Sequence, residues 1–488
     1  MAELCLMSET VEEIVKKPRI SCSNSVDLTL RLPDHILHSI FSYLTSQDLV
    51  NVHLVSKNWH RNTPSYFAFN FDESLFLENV PYTPLRIIHE THNKFLDWIR
   101  SSLETSKSKL NKADKRVLRI LFYFHQNIYD IMRLMDENDF HEVYLRFEYF
   151  HYSLPYIFQL KSTCLTVLHL TACTLDEHVF HDEAKFASLQ EVKLDDVRVS
   201  GKTLSKFISK CPNIRELSLE GCKFLHFIVL PKLDRLEKLY VNNPHIHHPI
   251  SNIQVVALSL QVFHLAYCNS IKVAVRMNIR ACRMLRELHL DCRKFPEGLD
   301  HEHFCSDFPH LETLYLGPCE TLKRVKISSS SLRNLTLMFT QLYNYNYSRK
   351  SVVWAPNLCY FHYVGRTFKS SLAPSDTPKL LEKNCISLVP HIEKINRAWF
   401  LQLRSHLKKI SNHIGLVLVI REEKTSFSDL GKRGHKLWSI PIGRAPTQLL
   451  PHIKRLKLDI RLKVPEESHR CLMKYIIDNL LLMSNQMH

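Results

Sequence analysis

The stretch CPNIRELSLEGC, Cys211–Cys222, contains the pattern that decides the fold. Within it, Ile214-Arg215-Glu216-Leu217-Ser218-Leu219 reads L-x-x-L-x-L, with isoleucine in the first position, and a turn of small or polar residues follows. The pattern recurs to about residue 365 at intervals of 21 to 26 residues. Indexed by their first apolar residue, the units begin at Val117, Phe140, Leu165, Leu189, Ile214, Leu236, Leu260, Leu285, Leu311, Leu332 and Leu358. The chain is therefore built from short repeats.

A period near 24 with this core pattern is typical of leucine-rich repeats, in which each unit gives one short strand and a returning segment. No single unit can bury its own apolar side, so the units stack. We predict an α/β fold whose main part is a curved solenoid with parallel strands on its concave face. We number the positions of the L-x-x-L-x-L pattern one to six.

Cysteines recur at a fixed place in these units. Cys173, Cys222, Cys268 and Cys319 lie eight residues after the first apolar residue of their unit, and Cys292 lies seven after it. The chain has 14 cysteines but no C-x-x-C pair, so zinc ligation is not indicated. We interpret these cysteines as buried packing residues and expect no metal and no cofactor.

A second motif lies near the N-terminus, in the stretch LPDHILHSIFSYLTSQDLVNVHLVSKNW from Leu32 to Trp59. Pro33 suits a first helical position, and an apolar stripe from Ile36 to Leu44 follows it. Thr45 and Ser46 are good caps for a second helix, and Ser56 to Trp59 would open a third. The stretch predicts three short packed helices.

This stretch resembles an F-box in a dozen positions, among them Leu32-Pro33, Asp48-Leu49 and Val55-Ser56-Lys57. The resemblance implies that it binds the Skp-type adaptor of a cullin-based ubiquitin ligase. The residues implied in adaptor binding are Leu32, Pro33, Ile36, Leu37, Ile40, Phe41, Leu44, Leu49, Val55 and Trp59. The alternative interpretation is an ordinary helical hairpin at the edge of a larger domain.

The predicted domain order follows from these two motifs. We expect a mobile arm over residues 1–27, an F-box over 28–75, a linker helix and basic loop over 76–116, and leucine-rich repeats over 117–365. Residues 366–488 are expected to form degenerate repeats, with strands around Ile414 and Ile453, and a C-terminal cap around Cys471 to Met483.

The architecture as a whole is similar to that of the plant F-box/LRR family. That resemblance implies the substrate-recognition subunit of an SCF-type ubiquitin ligase, which would bind a Skp-type adaptor, through it a cullin, and an unknown target protein. Catalysis would reside on other subunits, since the chain contains no P-loop, nucleophile elbow, metalloprotease helix or RING-like cysteine cluster. Two alternatives remain open at this stage, a small-molecule (hormone) receptor and a basic solenoid that binds nucleic acid.

Composition sets further limits. The formal net charge of +15 permits acidic partners, but no aromatic-rich nucleic-acid motif accompanies it, so nucleic acid is not the expected partner. No apolar run approaches a membrane span, and the N-terminus lacks the basic start and apolar centre of a secretory signal. We expect no membrane partner and a place in the nucleus, the cytoplasm or both.

The fifth position of each unit lies in the middle of the concave face. From the second unit onward it is occupied by Tyr144, His169, Lys193, Ser218, Tyr240, His264, His289, Tyr315, Thr336 and His362. Tyrosine and histidine offer contact area with a polar tip, a composition favoured at binding surfaces. We therefore predict substrate-binding residues at Tyr144, His169, Tyr240, His264, His289, Tyr315 and His362. The alternative is that they are solvated strand positions, where aromatic residues are favoured by β-propensity alone.

Overall fold

The computed structural model describes residues 32–33, 36–37, 59, 66–76, 85–107, 115–123, 128–148, 152–154, 164–176, 186–245, 248–268, 274–299, 304–317, 325–339, 352–365, 383–388, 397–407, 414–421, 437–441 and 453–461. The chain forms two compact units. One contains residues 1–68 and 109–115, and the other contains residues 69–108 and 116–488.

Strands dominate the described part of the chain. In chain order they are β1 (Tyr66–Asp72), β2 (Lys115–Phe122), β3 (Glu142–Phe147), β4 (Tyr152–Ser153), β5 (Val167–Thr171), β6 (Cys173–Leu175), β7 (Glu191–Asp195), β8 (Arg198–Val199), β9 (Glu216–Glu220), β10 (Phe227–Val229), β11 (Lys238–Asn242), β12 (Asn252–Gln254), β13 (Val262–Cys268), β14 (Arg276–Asn278), β15 (Glu287–Cys292), β16 (Thr313–Leu316), β17 (Lys326–Ser328), β18 (Asn334–Met338), β19 (Val352–Trp354), β20 (Tyr360–Gly365), β21 (Lys383–Leu388), β22 (Ile414–Arg421), β23 (Leu437–Pro441) and β24 (Ile453–Arg461).

Sixteen of these strands form one large sheet. Their order is β1-β2-β3-β5-β7-β9-β11-β13-β15-β16-β18-β20-β21-β22-β24-β23. Neighbours from β2 to β24 pair in parallel, and β23 is antiparallel to β24. Each repeat thus adds one strand beside the previous one, which confirms the predicted solenoid of parallel strands.

The apolar residues of the repeat pattern face the core. In β9, Leu217 and Leu219 are buried while Glu216, Ser218 and Glu220 are half-buried, and the same alternation runs through the neighbouring strands. The register places Leu217 beside Leu239, so leucines stack from one repeat to the next. Each fully buried leucine contributes about 2 kcal/mol of hydrophobic stabilisation.

Short strands on the returning segments form three small sheets. Their orders are β4-β6-β8, β10-β12-β14 and β17-β19. Their single inward residues, such as Ile228, Ile253 and Met277, close the core from the side opposite the large sheet. The core therefore lies between the large sheet and these small sheets.

Few helices occur in the described part of the chain. They are α1 (Leu85–Lys107), α2 (Ile128–Glu137), α3 (Gly201–Ser209), α4 (Phe304–Asp307) and α5 (Arg397–Leu407), with a 3-10 turn at Glu73–Phe76. In the part of the chain that the structure describes, none of them is long and apolar enough to cross a membrane.

The first strand and α1 close the N-terminal end of the solenoid core. Phe95, Ile99 and Leu103 of α1 are buried in the same apolar cluster as the strands. Phe95 packs edge-on against Phe122 of β2, with ring centroids 6.1 Å apart. The helix expected within 76–116 thus covers the end of the solenoid at β2, which would otherwise expose its core.

A buried hydrogen-bonded group stabilises this N-terminal cap. His92 of α1 hydrogen-bonds to Glu73 through Nδ1 and Oε1 at 2.7 Å, and both side chains are buried. The second oxygen of Glu73 accepts the backbone N–H of Tyr123 at 2.6 Å. Buried polar groups are costly unless they are paired, so this group holds α1 in one position.

The C-terminal region continues the sheet. β22 contains Ile414, Val417 and Val419, and β24 contains Ile453, Leu456 and Leu458, which are the residues that fit the repeat frame in the sequence. β21 adds a strand between them and the main array that the repeat pattern does not reveal. The helix predicted around Cys471 to Met483 and the arm over residues 1–27 lie outside the described residues.

The periodic cysteines are packing residues wherever their side chains are described. Cys173, Cys222 and Cys292 are buried, whereas Cys319 and the side chain of Cys268 lie outside the description. Burial raises the pKa of the Cys222 thiol to about 12 and raises that of Cys173 further. Such thiols stay protonated, and the thiolate is the reactive form.

Brief alkylation should separate these thiols from an exposed one. We expect iodoacetamide to modify the exposed Cys359 readily in the native chain while Cys173 and Cys222 react only after denaturation. Mass spectrometry of the cysteine-containing peptides, with a denatured sample as control, measures the three sites together. Comparable native labelling of Cys222 and Cys359 would contradict the buried packing role.

Candidate functional site

The ten fifth-position residues form one row across the large sheet, which we call the central column. The register pairs Tyr144 with His169, His169 with Lys193, Lys193 with Ser218 and Ser218 with Tyr240. It continues through His264, His289, Tyr315, Thr336 and His362. All ten are half-buried. The predicted alignment of these residues is observed, while their role in binding stays a prediction.

Four rings of the central column touch one another in sequence. Tyr240 packs edge-on against His264 at a centroid distance of 5.0 Å, and His264 lies 5.1 Å from His289. His289 and Tyr315 stack face to face at 3.8 Å with 15° between their planes. We call Tyr240, His264, His289 and Tyr315 the ring patch.

The other predicted rings do not join the ring patch. Tyr144 packs edge-on against His169 at 4.6 Å, and Lys193 and Ser218 separate this pair from Tyr240. His362 is separated from Tyr315 by Thr336, and its Nε2 lies 3.3 Å from Ser387 Oγ. The structure thus groups the seven predicted residues as two, four and one.

Carboxylates at the third position of the repeats pair with the central column or with neighbouring lysine. Glu191 hydrogen-bonds to His169 Nε2 and Glu287 to His264 Nε2, each at 2.7 Å. Lys238 donates to Glu216 at 2.9 Å. The hydrogen bond from His169 holds the pKa of Glu191 below its usual range. This face of the sheet is therefore not basic, although the chain as a whole carries +15.

Two rings of the ring patch have pKa values that burial shifts further from neutral pH. Burial lowers the pKa of His289 to about 4, with a smaller contribution from nearby His264. It also raises the pKa of Tyr240 above its ordinary value. A neutral, partly desolvated ring can pack against apolar or cationic groups of a partner without repelling them.

A shallow cleft lies beside the stacked rings. It has a volume of about 250 Å³, and Glu287, His289, Thr313, Tyr315, Asn334, Thr336 and Tyr360 are among its lining residues. Pockets for drug-sized ligands usually have volumes of about 300–1,000 Å³ and enclose most of the ligand. The cleft is better suited to a side chain of a bound protein segment.

The repeat pattern in the sequence does not identify all the residues of this face. Arg119 of β2 extends the central column, and its guanidinium lies 4.7 Å from the centroid of the Tyr144 ring. Cys385 of β21 extends it beyond His362. The residue after the sixth position also faces the open side, as with Glu220 and Asp291. A repeat pattern of seven positions instead of six includes these residues.

The structure describes half of the residues predicted to bind the adaptor. Pro33 and Ile36 are exposed, Leu32 and Trp59 are half-buried and Leu37 is buried. The backbone N–H groups of Ile36 and Leu37 donate to the Pro33 carbonyl at 2.9 and 3.2 Å, which begins a helical turn at Pro33. Ile40, Phe41, Leu44, Leu49 and Val55 lie outside the described residues. Pro33 and Ile36 are thus accessible to a partner.

Two stretches of the sequence are rich in histidine, residues 245–248 and 301–303, and they show no metal-binding geometry where they are described. His245 hydrogen-bonds to the Gly221 carbonyl oxygen at 3.0 Å, whereas His247, His301 and His303 lie outside the description. Among the described residues, no group of three or more His, Cys, Asp or Glu could hold a metal ion.

Two family models match this chain. Residues 29–66 match the F-box-like family, and residues 137–252 match the family described as "At1g61320/AtMIF1, LRR domain". The first match covers the stretch from Leu32 to Trp59, and the second covers strands β3 to β11.

Three Arabidopsis thaliana proteins are similar to parts of the chain. F-box/LRR-repeat protein 25 is 25% identical over 235 residues, which are 48% of this chain and 83% of that protein. Another F-box/LRR-repeat protein is 23% identical over 270 residues, which are 53% of this chain and 52% of that protein. An F-box/kelch-repeat protein is 40% identical over 78 residues, which are 16% of this chain and 20% of that protein.

The low pKa of His289 predicts a pH dependence of stability. A histidine in an unfolded chain titrates near 6.5, so between pH 6.5 and about 4 the unfolded state binds a proton that folded His289 does not. The free energy of unfolding should therefore fall as the pH drops through this window. We expect His289→Gln to lose less stability than the parent between pH 7 and pH 5, measured by thermal denaturation. Equal losses in both proteins would show that His289 titrates normally.

Proposed function

We propose that this F-box/leucine-rich-repeat protein is the substrate-recognition subunit of an SCF-type ubiquitin ligase. In this proposal the F-box binds a Skp-type adaptor and, through it, a cullin, while the open face of the repeat sheet binds a target protein. The observation that carries the proposal is the presence, in one chain, of an F-box-like match at residues 29–66 and a repeat sheet with the ring patch on its open face.

The proposed mechanism is proximity. The chain would hold its target beside the ubiquitin-carrying subunit, which raises the local concentration of the reacting groups without contributing a reactive side chain. The F-box/LRR family consists in general of non-catalytic adaptors. We place this action in the nucleus, the cytoplasm or both.

The geometry favours a protein segment over the two alternatives. The cleft beside the ring patch is small and open, which disfavours a hormone-sized ligand. Glu191, Glu216 and Glu287 on the same face disfavour a nucleic-acid backbone. The four strands of the ring patch span about 15 Å, since neighbouring strands lie about 5 Å apart. A single extended segment covers that distance.

Capture experiments test the proposal as a whole. The full chain and a variant lacking residues 28–65 would be expressed in plant cells treated with a proteasome inhibitor, and the co-purified proteins identified. We expect adaptor and cullin only with the full chain, and the same target proteins with both. Absence of the adaptor from the full-chain sample would overturn the proposal.

The adaptor contact has its own prediction. Leu32→Ala combined with Pro33→Ala should abolish adaptor binding in a pull-down, because Pro33 is exposed and Leu32 is half-buried in the F-box-like segment. The second compact unit, which contains the repeats, should keep its melting temperature, since both substitutions lie outside its residues. Undiminished adaptor binding by the double variant removes the F-box assignment.

A separate prediction concerns the ring patch. Tyr240→Ala and Tyr315→Ala should each weaken target capture by about thirtyfold, corresponding to about 2 kcal/mol for the loss of a central aromatic contact. Thermal stability and adaptor binding should change little, because both side chains lie on the open face rather than in the core. The measurement is titration of a captured target against each variant.

Trp354→Ala is a matched control, since it removes an exposed ring from β19 in a small sheet on the other side of the core. It should leave target capture unchanged, as should Lys202→Ala in α3. If both tyrosine variants capture the target as well as the parent, the ring patch is ordinary solvated sheet.

A further inference from the structure

The carboxylates on the open face differ in whether they are paired among the described residues. Asp291 lies in β15 on the same face as Glu287 and His289. Glu191, Glu216 and Glu287 are each paired with a histidine or a lysine. Among the described residues, no hydrogen-bond donor or basic group contacts the Asp291 side chain, which is half-buried. A desolvated carboxylate without a counter-charge is costly.

The backbone of Gly317 packs closely against Asp291 on one side. A Cβ atom on this glycine would stand 2.7 Å from Asp291 Cα and 2.9 Å from its Oδ1. Both distances are shorter than an ordinary contact, so a residue with a side chain at 317 would displace the carboxylate. Glycine at this position therefore allows the Asp291 carboxylate to keep its place on the open face.

A β-bulge lies on the opposite side of Asp291. β13 and β15 pair Leu265 with Leu290 and then Cys268 with Cys292, so two residues of β13 oppose one residue of β15. They are Ala266, which has only a methyl side chain, and Tyr267, whose side chain lies outside the description. Bulges re-aim side chains and are frequent beside functional sites. Asp291 thus lies between the bulge of β13 and the close approach of Gly317, and we call this position the notch.

The notch adjoins the stacked pair of the ring patch. His289 precedes Asp291 by two residues on the same face, and Tyr315 precedes Gly317 by two on the neighbouring strand. The Tyr315 hydroxyl donates to Met338 Sδ at 2.8 Å, which fixes the ring. The faces of tyrosine rings attract cations. Because His289 is uncharged at neutral pH, it does not repel a cation bound nearby.

We propose that Asp291 and the adjoining His289–Tyr315 pair bind a lysine or arginine side chain of the target segment. The cation would supply the hydrogen bonds and the counter-charge that the Asp291 carboxylate lacks, while its aliphatic stem packs along the ring faces. This inference rests on the proposed function, which identifies the open face as the target-binding surface. It adds the type of target side chain that the face binds. It makes the notch a determinant of target specificity.

Peptide pools of defined composition test this site. Each pool contains nine-residue peptides with arginine, lysine, norleucine or glutamate fixed at the central position and the other positions randomised without lysine, arginine or cysteine. The full-length chain is immobilised, and the retained peptides are quantified. We expect about tenfold greater retention of the arginine and lysine pools than of the norleucine pool, as for one charged hydrogen-bonded contact.

Asp291→Asn should reduce this ratio to about one, because the amide keeps the shape of the side chain and removes the charge. Asp291→Ala should give the same ratio, and thermal melting identifies any variant that does not fold. Asp234→Asn is the matched control, since Asp234 is exposed in the turn before β11 and its ion pair with Lys232 is remote from the notch in sequence. That control should keep the parental ratio.

Two results would overturn the inference. One is equal retention of all pools by the parent, and the other is an unchanged cation preference in folded Asp291→Asn. Adaptor pull-down from the same preparations reports on the proposed function separately. Adaptor binding without a cation preference therefore rejects the notch alone, whereas loss of adaptor binding with the preference intact rejects the ligase role.

Discussion

The structure depends on one constraint, which is that each repeat buries its apolar side only against the next repeat. Leu217 and Leu239 are both fully buried and lie side by side in adjacent strands. A slip of one residue between the strands would turn such leucines toward solvent, at a cost of about 2 kcal/mol each. Register is therefore strongly specified, and this register also aligns the residues between the leucines on the open face.

The alignment gives the open face properties that no single repeat has. Tyr240, His264, His289 and Tyr315 become one continuous set of rings only because four strands are held in step. The flanking glutamates Glu216 and Glu287 then find lysine or histidine partners on adjacent strands. Local pairing of this kind makes the face mixed in charge, although the chain as a whole is strongly basic. A long-range attraction for polyanions is thus weakened where the ring patch lies.

The strand positions and the central column could be predicted from the sequence because the alternation of buried and exposed residues is a local property. Other features depend on contacts between distant segments. The helical stripe of Phe95 and Ile99 shows which side of α1 is apolar but not that it covers β2. β21 continues the sheet with only two buried residues, Ile386 and Leu388. The full leucine pattern is therefore absent from this strand. The bulge opposite Asp291 exists only as a difference in length between two paired strands.

The repeat sheet separates core packing from the composition of the open face at most positions, because core leucines and open-face side chains alternate along each strand. A side chain such as Tyr240 can change while Leu239 and Val241 keep the fold. Gly317 is the position where this separation fails. A side chain there would press on the backbone of Asp291 as well as on its carboxylate, so strand packing and the shape of the notch depend on the same missing atom. Variation at 317 would alter both together, whereas variation at 291 alters the charge of the notch alone.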